Sequence, residues 1–249
     1  MGKIKVGIVN YLNTKPLLYG IEHAPVKKDI ELVEDYPSGV ARLLTTGKID
    51  IGLVPVSVIP LLPEYYIETG YCIGCDGPVA SVCLFSEVPV EEVEEVLLDY
   101  QSRTSVALVK ILMQEYWKAS PRYNDTKNDF RSAIKGKTAG VIIGDRALEQ
   151  RNVSPFIYDL GEAWKNHTGL PFVFAAWVSN KKLPEDFIDA FNEANKYGIE
   201  NIEQVVAENS FPVFDLHEYY TRYIQYHLDS SAKKGMKKFL SLLTSLATW

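Results

Sequence analysis

Positive charge is scarce in this chain of 249 residues, where 26 lysines and arginines stand against 32 acidic residues and the formal net charge is -6. Nucleic acid is therefore not expected as a partner, because phosphate binding needs clustered Lys and Arg that the sequence does not present. An anionic small molecule is still admissible, since backbone dipoles hold such ligands whatever the net charge. Cysteine is scarcer: Cys72, Cys75 and Cys83 are an odd number, cannot complete a disulfide framework, and are expected to be reduced. Cys72-Ile73-Gly74-Cys75 has C-x-x-C spacing, but no second such pair or paired-His motif brings a zinc site to four ligands, so packing is the expected role. No apolar run reaches the ~20 residues of a membrane-spanning helix, and membrane insertion is excluded. No basic and apolar leader precedes the first strand signal near Met1, so a cytoplasmic location is expected. Nucleophile-elbow, P-loop, dinucleotide, H-E-x-x-H and EF-hand motifs are all missing, and hydrolase, nucleotide and metal chemistries lose their usual handles.

What is present is an ordinary globular composition, 47% hydrophobic and 23% charged, on a chain long enough for two compact lobes or one large α/β unit. Strand signals over 4–9, 30–36 and 49–54 alternate with helix signals over 16–23 and 38–46. The strands are dense in Ile, Leu and Val, which implies a mainly parallel sheet covered on both faces. Longer strands are expected over 66–73 and 80–86, with Gly74, Asp76, Gly77 and Pro78 turning the chain between them. A second α/β unit then begins: strand 96–100, an amphipathic helix over 103–118, strands 138–143 and 156–160, a short helix around Trp164, and a returning strand over 172–178. Beyond Pro184 the pattern reads as helical throughout, over 185–197, 199–207, 216–228 and a Lys-rich closing helix to 249. Two crossings without a flexible linker predict lobes joined by hinge strands.

Several strands end in a small polar turn followed by a helix: Asn13-Thr14, Ser38-Gly39, Ser57, Ser102-Arg103-Thr104-Ser105 and Gly144-Asp145. In an open parallel sheet such turns gather at the carboxyl ends of the strands, where helix N-termini offer unpaired N–H groups to a carboxylate. The same residues are also the preferred helix caps, worth ~1 kcal/mol each, and either role accounts for any single turn. Asn13 stands out because it shares its turn with Asn10, Tyr11 and Leu12 and precedes Pro16, a natural helix opener. Arg103 is positioned to clamp a carboxylate or to pair with Asp99; Asp145 could orient a hydroxyl or cap its helix. The four histidines are scattered, and Tyr219, Tyr220, Tyr223 and Tyr226 have the spacing of a helical packing surface.

Val9-Asn10-Tyr11-Leu12-Asn13, Pro37-Ser38-Gly39-Val40, the run from Gly47 to Ser57, Gly77-Pro78-Val79-Ala80-Ser81-Val82, Ser102-Arg103-Thr104-Ser105 and Tyr158-Asp159-Leu160-Gly161-Glu162-Ala163-Trp164 occur in order along nearly the whole chain. Together they resemble the chorismate dehydratase family of the futalosine route to menaquinone. That resemblance implies a two-lobed fold like that of type II periplasmic binding proteins, each lobe a mainly parallel sheet flanked by helices, with residues 1–82 and 179–249 in one lobe and 83–178 in the other. It implies loss of water from chorismate to leave 3-[(1-carboxyvinyl)oxy]benzoate, without cofactor or metal. It also implies that Asn13 is the catalytic residue and that Ser81 contacts the substrate. Ser38, Gly39, Ser57, Ser102, Arg103, Thr104, Ser105 and Asp145 are the further candidates for holding the two carboxylates or the hydroxyl. The alternatives are the related enzyme that releases 1,4-dihydroxy-6-naphthoate, and a cytoplasmic carboxylate-binding protein without chemistry.

Overall fold

The computed structural model describes residues 2–246. From the first strand on, the chain runs β1 (Ile4–Ile8), α1 (Lys15–His23), β2 (Ile30–Glu34), α2 (Pro37–Thr45), β3 (Ile51–Pro55), β4 (Tyr71–Cys75), β5 (Val82–Ser86), β6 (Glu95–Leu98) and α3 (Arg103–Glu115). It continues through β7 (Arg122–Asp125), β8 (Thr138–Ile143), α4 (Asp145–Gln150), β9 (Phe156–Asp159), α5 (Leu160–Thr168), β10 (Phe172–Ser179), α6 (Glu185–Glu200), α7 (Ile202–Glu208), α8 (Leu216–Glu218), β11 (Gln225–His227) and α9 (Ser230–Leu243). The strands form two sheets, one ordered β11-β4-β10-β3-β1-β2 and the other β7-β6-β8-β5-β9. Helices flank both sheets, and no helix among the described residues is long and apolar enough to cross a membrane.

Both sheets are mixed rather than mainly parallel. β1 runs parallel to β2 and β3, and β6 parallel to β7 and β8, as the alternating pattern predicts. The strands next to the lobe crossings arrive reversed: β10 is antiparallel to β3 and β4, and β5 to β8 and β9. β10 was expected within 83–178, yet it lies in the first sheet, so the return crossing falls before Phe172. All but one of its eight residues are buried, a burial it reaches only between two neighbouring strands. The helix expected over 216–228 is broken. A π-helical turn at Tyr219–Tyr223 ends the helical stretch, and Gln225–His227 instead adds an edge strand to β4. β7 carried no clear signal, being largely exposed. The predicted end of the closing helix, 247–249, lies outside the described residues.

Two contacts fix the helix that follows the first candidate turn. A Cβ built on Gly198 of α6 would lie 1.8 Å from the Pro16 carbonyl oxygen, and one on Gly20 of α1 would lie 2.0 Å from that of Ala194, so only glycine lets the two backbones touch. The buried Trp177 of β10 donates its indole N–H to Asn195 Oδ1 at 3.0 Å and ties α6 to the sheet.

Candidate functional site

β1 empties into a single 3₁₀ turn, Leu12–Thr14, which runs straight into α1. The buried Thr14 staples it: its hydroxyl donates to the Val9 carbonyl at 2.5 Å and accepts the Tyr11 N–H at 3.2 Å. From the far end of the chain, the Tyr226 hydroxyl donates to the Asn13 carbonyl at 2.9 Å. With its backbone held on both sides, Asn13 presents its amide to a cavity of about 70 Å³ between the sheets, and its buried Oδ1 has no hydrogen-bond partner among the described residues. A buried carbonyl oxygen without a donor is costly, which marks it as a group waiting for one from a guest.

Ser81 lies on the wall of the same cavity. Its turn precedes β5 and is built from outside. Asp159, the N-cap of α5, accepts N–H groups from Gly161 and Glu162 and, across the crossing, from Val79 at 3.0 Å and Ala80 at 2.7 Å. Burial raises the carboxyl pKa of Asp159, and the ring of backbone N–H donors pulls the other way. Ala80 is held at φ 63°, in the left-handed region, and its carbonyl takes a further bond from Arg151 at 3.2 Å. Ser81 is fully buried, and the Tyr219 hydroxyl lies 2.7 Å from its Oγ.

The opposite wall is the start of α3. Ser102 caps that helix by accepting the Ser105 N–H at 3.1 Å, so it is a cap and a cavity residue at once. Ser102, Thr104 and Ser105 all line the cavity, at the positive end of a helix of 13 residues. Leu53, Ile73 and Phe174 give it an apolar floor, and Gly144 closes it beside Tyr11.

The remaining candidates fall elsewhere. Ser38, Gly39 and Arg103 line a second, outer cleft of about 680 Å³ that shares only Pro37 and Pro55 with the inner one. Ser57 lies below the cavity wall, where its Oγ accepts the Thr104 hydroxyl at 3.0 Å, positioning that wall rather than lining it. Asp145 neither caps α4, whose N-cap is Gly144, nor lines the cavity; its Oδ1 accepts the Leu12 N–H across the cleft at 3.3 Å. Burial raises the pKa of that carboxyl. Asp99 pairs with Arg146 rather than with Arg103: Arg146 Nη2 reaches Asp99 Oδ2 at 2.8 Å and Gln101 Oε1 at 2.9 Å. The same Gln101 oxygen accepts the Tyr11 hydroxyl at 2.7 Å, a further bond from lobe to lobe beside those of Leu12 to Asp145 and of Thr104 to Ser57. None of the four histidines lines either cavity. Cys72, Cys75 and Cys83 are free and buried.

Sequence reasoning missed Asp159, Tyr219 and Tyr226. Asp159 ahead of Gly161-Glu162 is readable as an N-cap, but nothing in the sequence pairs it with Val79 and Ala80.

The chain is similar to known proteins in fold and in sequence. Among solved structures, a protein from Archaeoglobus fulgidus superposes with a TM-score of 0.77 at 14% identity, covering 98% of this chain and 97% of the other. The periplasmic aliphatic sulphonate binding protein of Escherichia coli gives 0.64 at 15% identity, covering 98% and 92%. A Candida albicans protein described as having the generic periplasmic binding protein fold gives 0.64 at 14%, covering 100% and 92%. The fold is thus that of the periplasmic binding proteins. In sequence, the chain is 28% identical to a chorismate dehydratase of Thermus thermophilus, over 96% of this chain and 94% of that one. It is 26% identical to a chorismate dehydratase of Campylobacter jejuni, over 96% and 97%. The family model described as menaquinone biosynthesis matches residues 4–245, and the chain belongs to that family.

Proposed function

We propose that the chain is a carbon–oxygen lyase that eliminates water from chorismate to give 3-[(1-carboxyvinyl)oxy]benzoate, acting in the cytoplasm and without a cofactor. The observation that carries this reading is convergence: Asn13, Ser81 and the N-terminal turn of α3 come from three separate parts of the chain and face one cavity between the sheets. The dehydratases of Thermus thermophilus and Campylobacter jejuni match over nearly the whole chain, and this supports the same reaction here.

Loss of water makes the chorismate ring aromatic, so the elimination runs downhill and the protein's task is to hold a reactive geometry. A ring C–H bond breaks, its electron pair forms the new ring double bond, and the ring hydroxyl departs as water. An amide is no base near neutral pH, so Asn13 holds rather than deprotonates. The substrate's own enolpyruvyl carboxylate removes the ring proton and delivers it to the leaving hydroxyl, while Asn13 keeps the reacting groups together. Ser102, Thr104, Ser105 and the positive end of α3 hold a carboxylate, and the apolar floor excludes water.

At about 70 Å³ the cavity is smaller than the ~300–1,000 Å³ of ordinary ligand pockets. The two sheets therefore act as lobes that part to admit the substrate: the first carries β1–β4, β10 and β11, the second β5–β9. The outer cleft, with Ser38, Gly39 and Arg103, lies beside the opening. Incubation of the purified chain with chorismate alone tests the reading, with a product lighter by one water and carrying an aromatic ultraviolet spectrum as the expected result. Saturable binding with chorismate recovered intact would replace the lyase with a binding protein.

A further inference from the structure

Resting on that reading, we propose that Tyr219 is a positioning residue that makes the Ser81 hydroxyl a one-way donor aimed into the cavity. A serine hydroxyl has one hydrogen and two lone pairs, and which it uses depends on its neighbours. Every other polar group of Ser81 is already engaged: its N–H donates to the Val79 carbonyl at 2.8 Å, and its carbonyl accepts the Gly144 N–H at 2.8 Å. That leaves Oγ, 2.7 Å from the Tyr219 hydroxyl.

The direction of this bond follows from burial. Tyr219 is fully buried, and Ser81 Oγ is the one acceptor its hydroxyl meets among the described residues. If Ser81 donated to Tyr219, the phenolic hydrogen would be left inside the protein without an acceptor, which is the arrangement that folded proteins avoid. The phenol therefore donates and the serine accepts. Burial also pushes the Tyr219 pKa up, so the donor stays protonated at any working pH. With one lone pair occupied and the backbone fixed by Asp159 below and Ala80 at positive φ, the serine hydrogen has the cavity as its outlet. There it meets an oxygen of the guest. On the lyase reading this is the departing ring hydroxyl or a carboxylate beside it, an interaction that strengthens as negative charge develops on the leaving oxygen. The acceptor bond from a phenol also polarises the serine and makes it a better donor.

The test compares Tyr219→Phe, Ser81→Ala and the double variant. Tyr219→Phe keeps the ring packing and removes only the donor, so kcat is expected to fall about 10-fold, or ~1.4 kcal/mol, with KM within about twofold. In the Ser81→Ala background the same change should have no further effect on kcat. An unchanged kcat in Tyr219→Phe, or an equal loss whether or not Ser81 is present, would overturn the proposal; the second result would make Tyr219 merely structural. An inactive wild type would count against the lyase reading instead. A separate readout is independent of the reaction: the phenolic proton of Tyr219 should give a slowly exchanging proton resonance that moves in Ser81→Ala. No such shift would also overturn the assignment.

Discussion

The turn that carries Asn13 and the turn that carries Ser81 face one cavity but are built by opposite means. The first is held mostly from within, by Thr14 on Val9 and Tyr11 and by the helix that begins at once behind it. The second is held from a distance: the bond from Ala80 to Asp159 spans 79 positions and that from Tyr219 to Ser81 spans 138. A local turn keeps its shape when the lobes move, because its staples move with it. A remote one is correct only when the whole fold is assembled. The difference predicts that damage near Asn13 is catalytic first, whereas damage near Ser81 is felt by stability as well.

Four substitutions sharpen that contrast. Asn13→Ala should show the largest effect, lowering kcat by ~10²–10³-fold as the loss of a preorganised polar contact does. The melting temperature should hardly change, because Oδ1 has no partner to lose among the described residues. Steady-state kinetics with calorimetry on one preparation checks both halves, and near-wild-type turnover would remove Asn13 from the mechanism. Asp159→Ala strips the acceptor from four backbone N–H groups in the interior and should cost roughly 3 kcal/mol, with turnover falling alongside. Denaturant unfolding would show it.

Thr14→Val keeps the shape and loses both staples of the local turn. About 1–2 kcal/mol of stability should go, with a larger proportional loss of kcat than that stability loss alone accounts for. Asp145→Asn is the mildest. Burial raises the Asp145 carboxyl pKa, so the native state holds that proton more tightly than the unfolded chain does. Its contribution to stability is therefore full below the ordinary carboxylate range and is lost as pH rises through the raised value. Asn keeps the acceptor for the Leu12 N–H but cannot ionise. The stability of Asp145→Asn relative to wild type should accordingly improve between about pH 4 and pH 7. Parallel melts at those two pH values would expose the wrong sign at once.

How much could be read in advance follows from the same contrast. Asn13 and the Ser102-Thr104-Ser105 turn were legible because strand, cap and helix start are neighbours in sequence, and both line the cavity. Ser38, Gly39 and Arg103 have the same local signature but border the outer cleft, since a cap motif does not say which way its turn faces. Asp159 was visible as a motif but not as a clamp. The helical spacing of Tyr219 and Tyr226 predicts packing; the π-helical turn breaks that period and sends one phenol to Ser81 and the other, across 213 positions, to the Asn13 carbonyl. The parallel strands announced themselves by apolar runs, whereas the reversed ones differ only in which neighbour they meet, and composition is blind to that.

The glycine contact between α1 and α6 has a mechanical consequence. Two helices whose main chains touch at Gly20 and Gly198 have no side-chain cushion to slide on, so the Asn13 arm behaves as an anvil bolted to its frame. On the lyase reading, opening is then a rigid parting of the lobes that breaks the bonds of Gln101 to Tyr11 and of Asp145 to Leu12, not a slide of the Asn13 turn along its own helix pair.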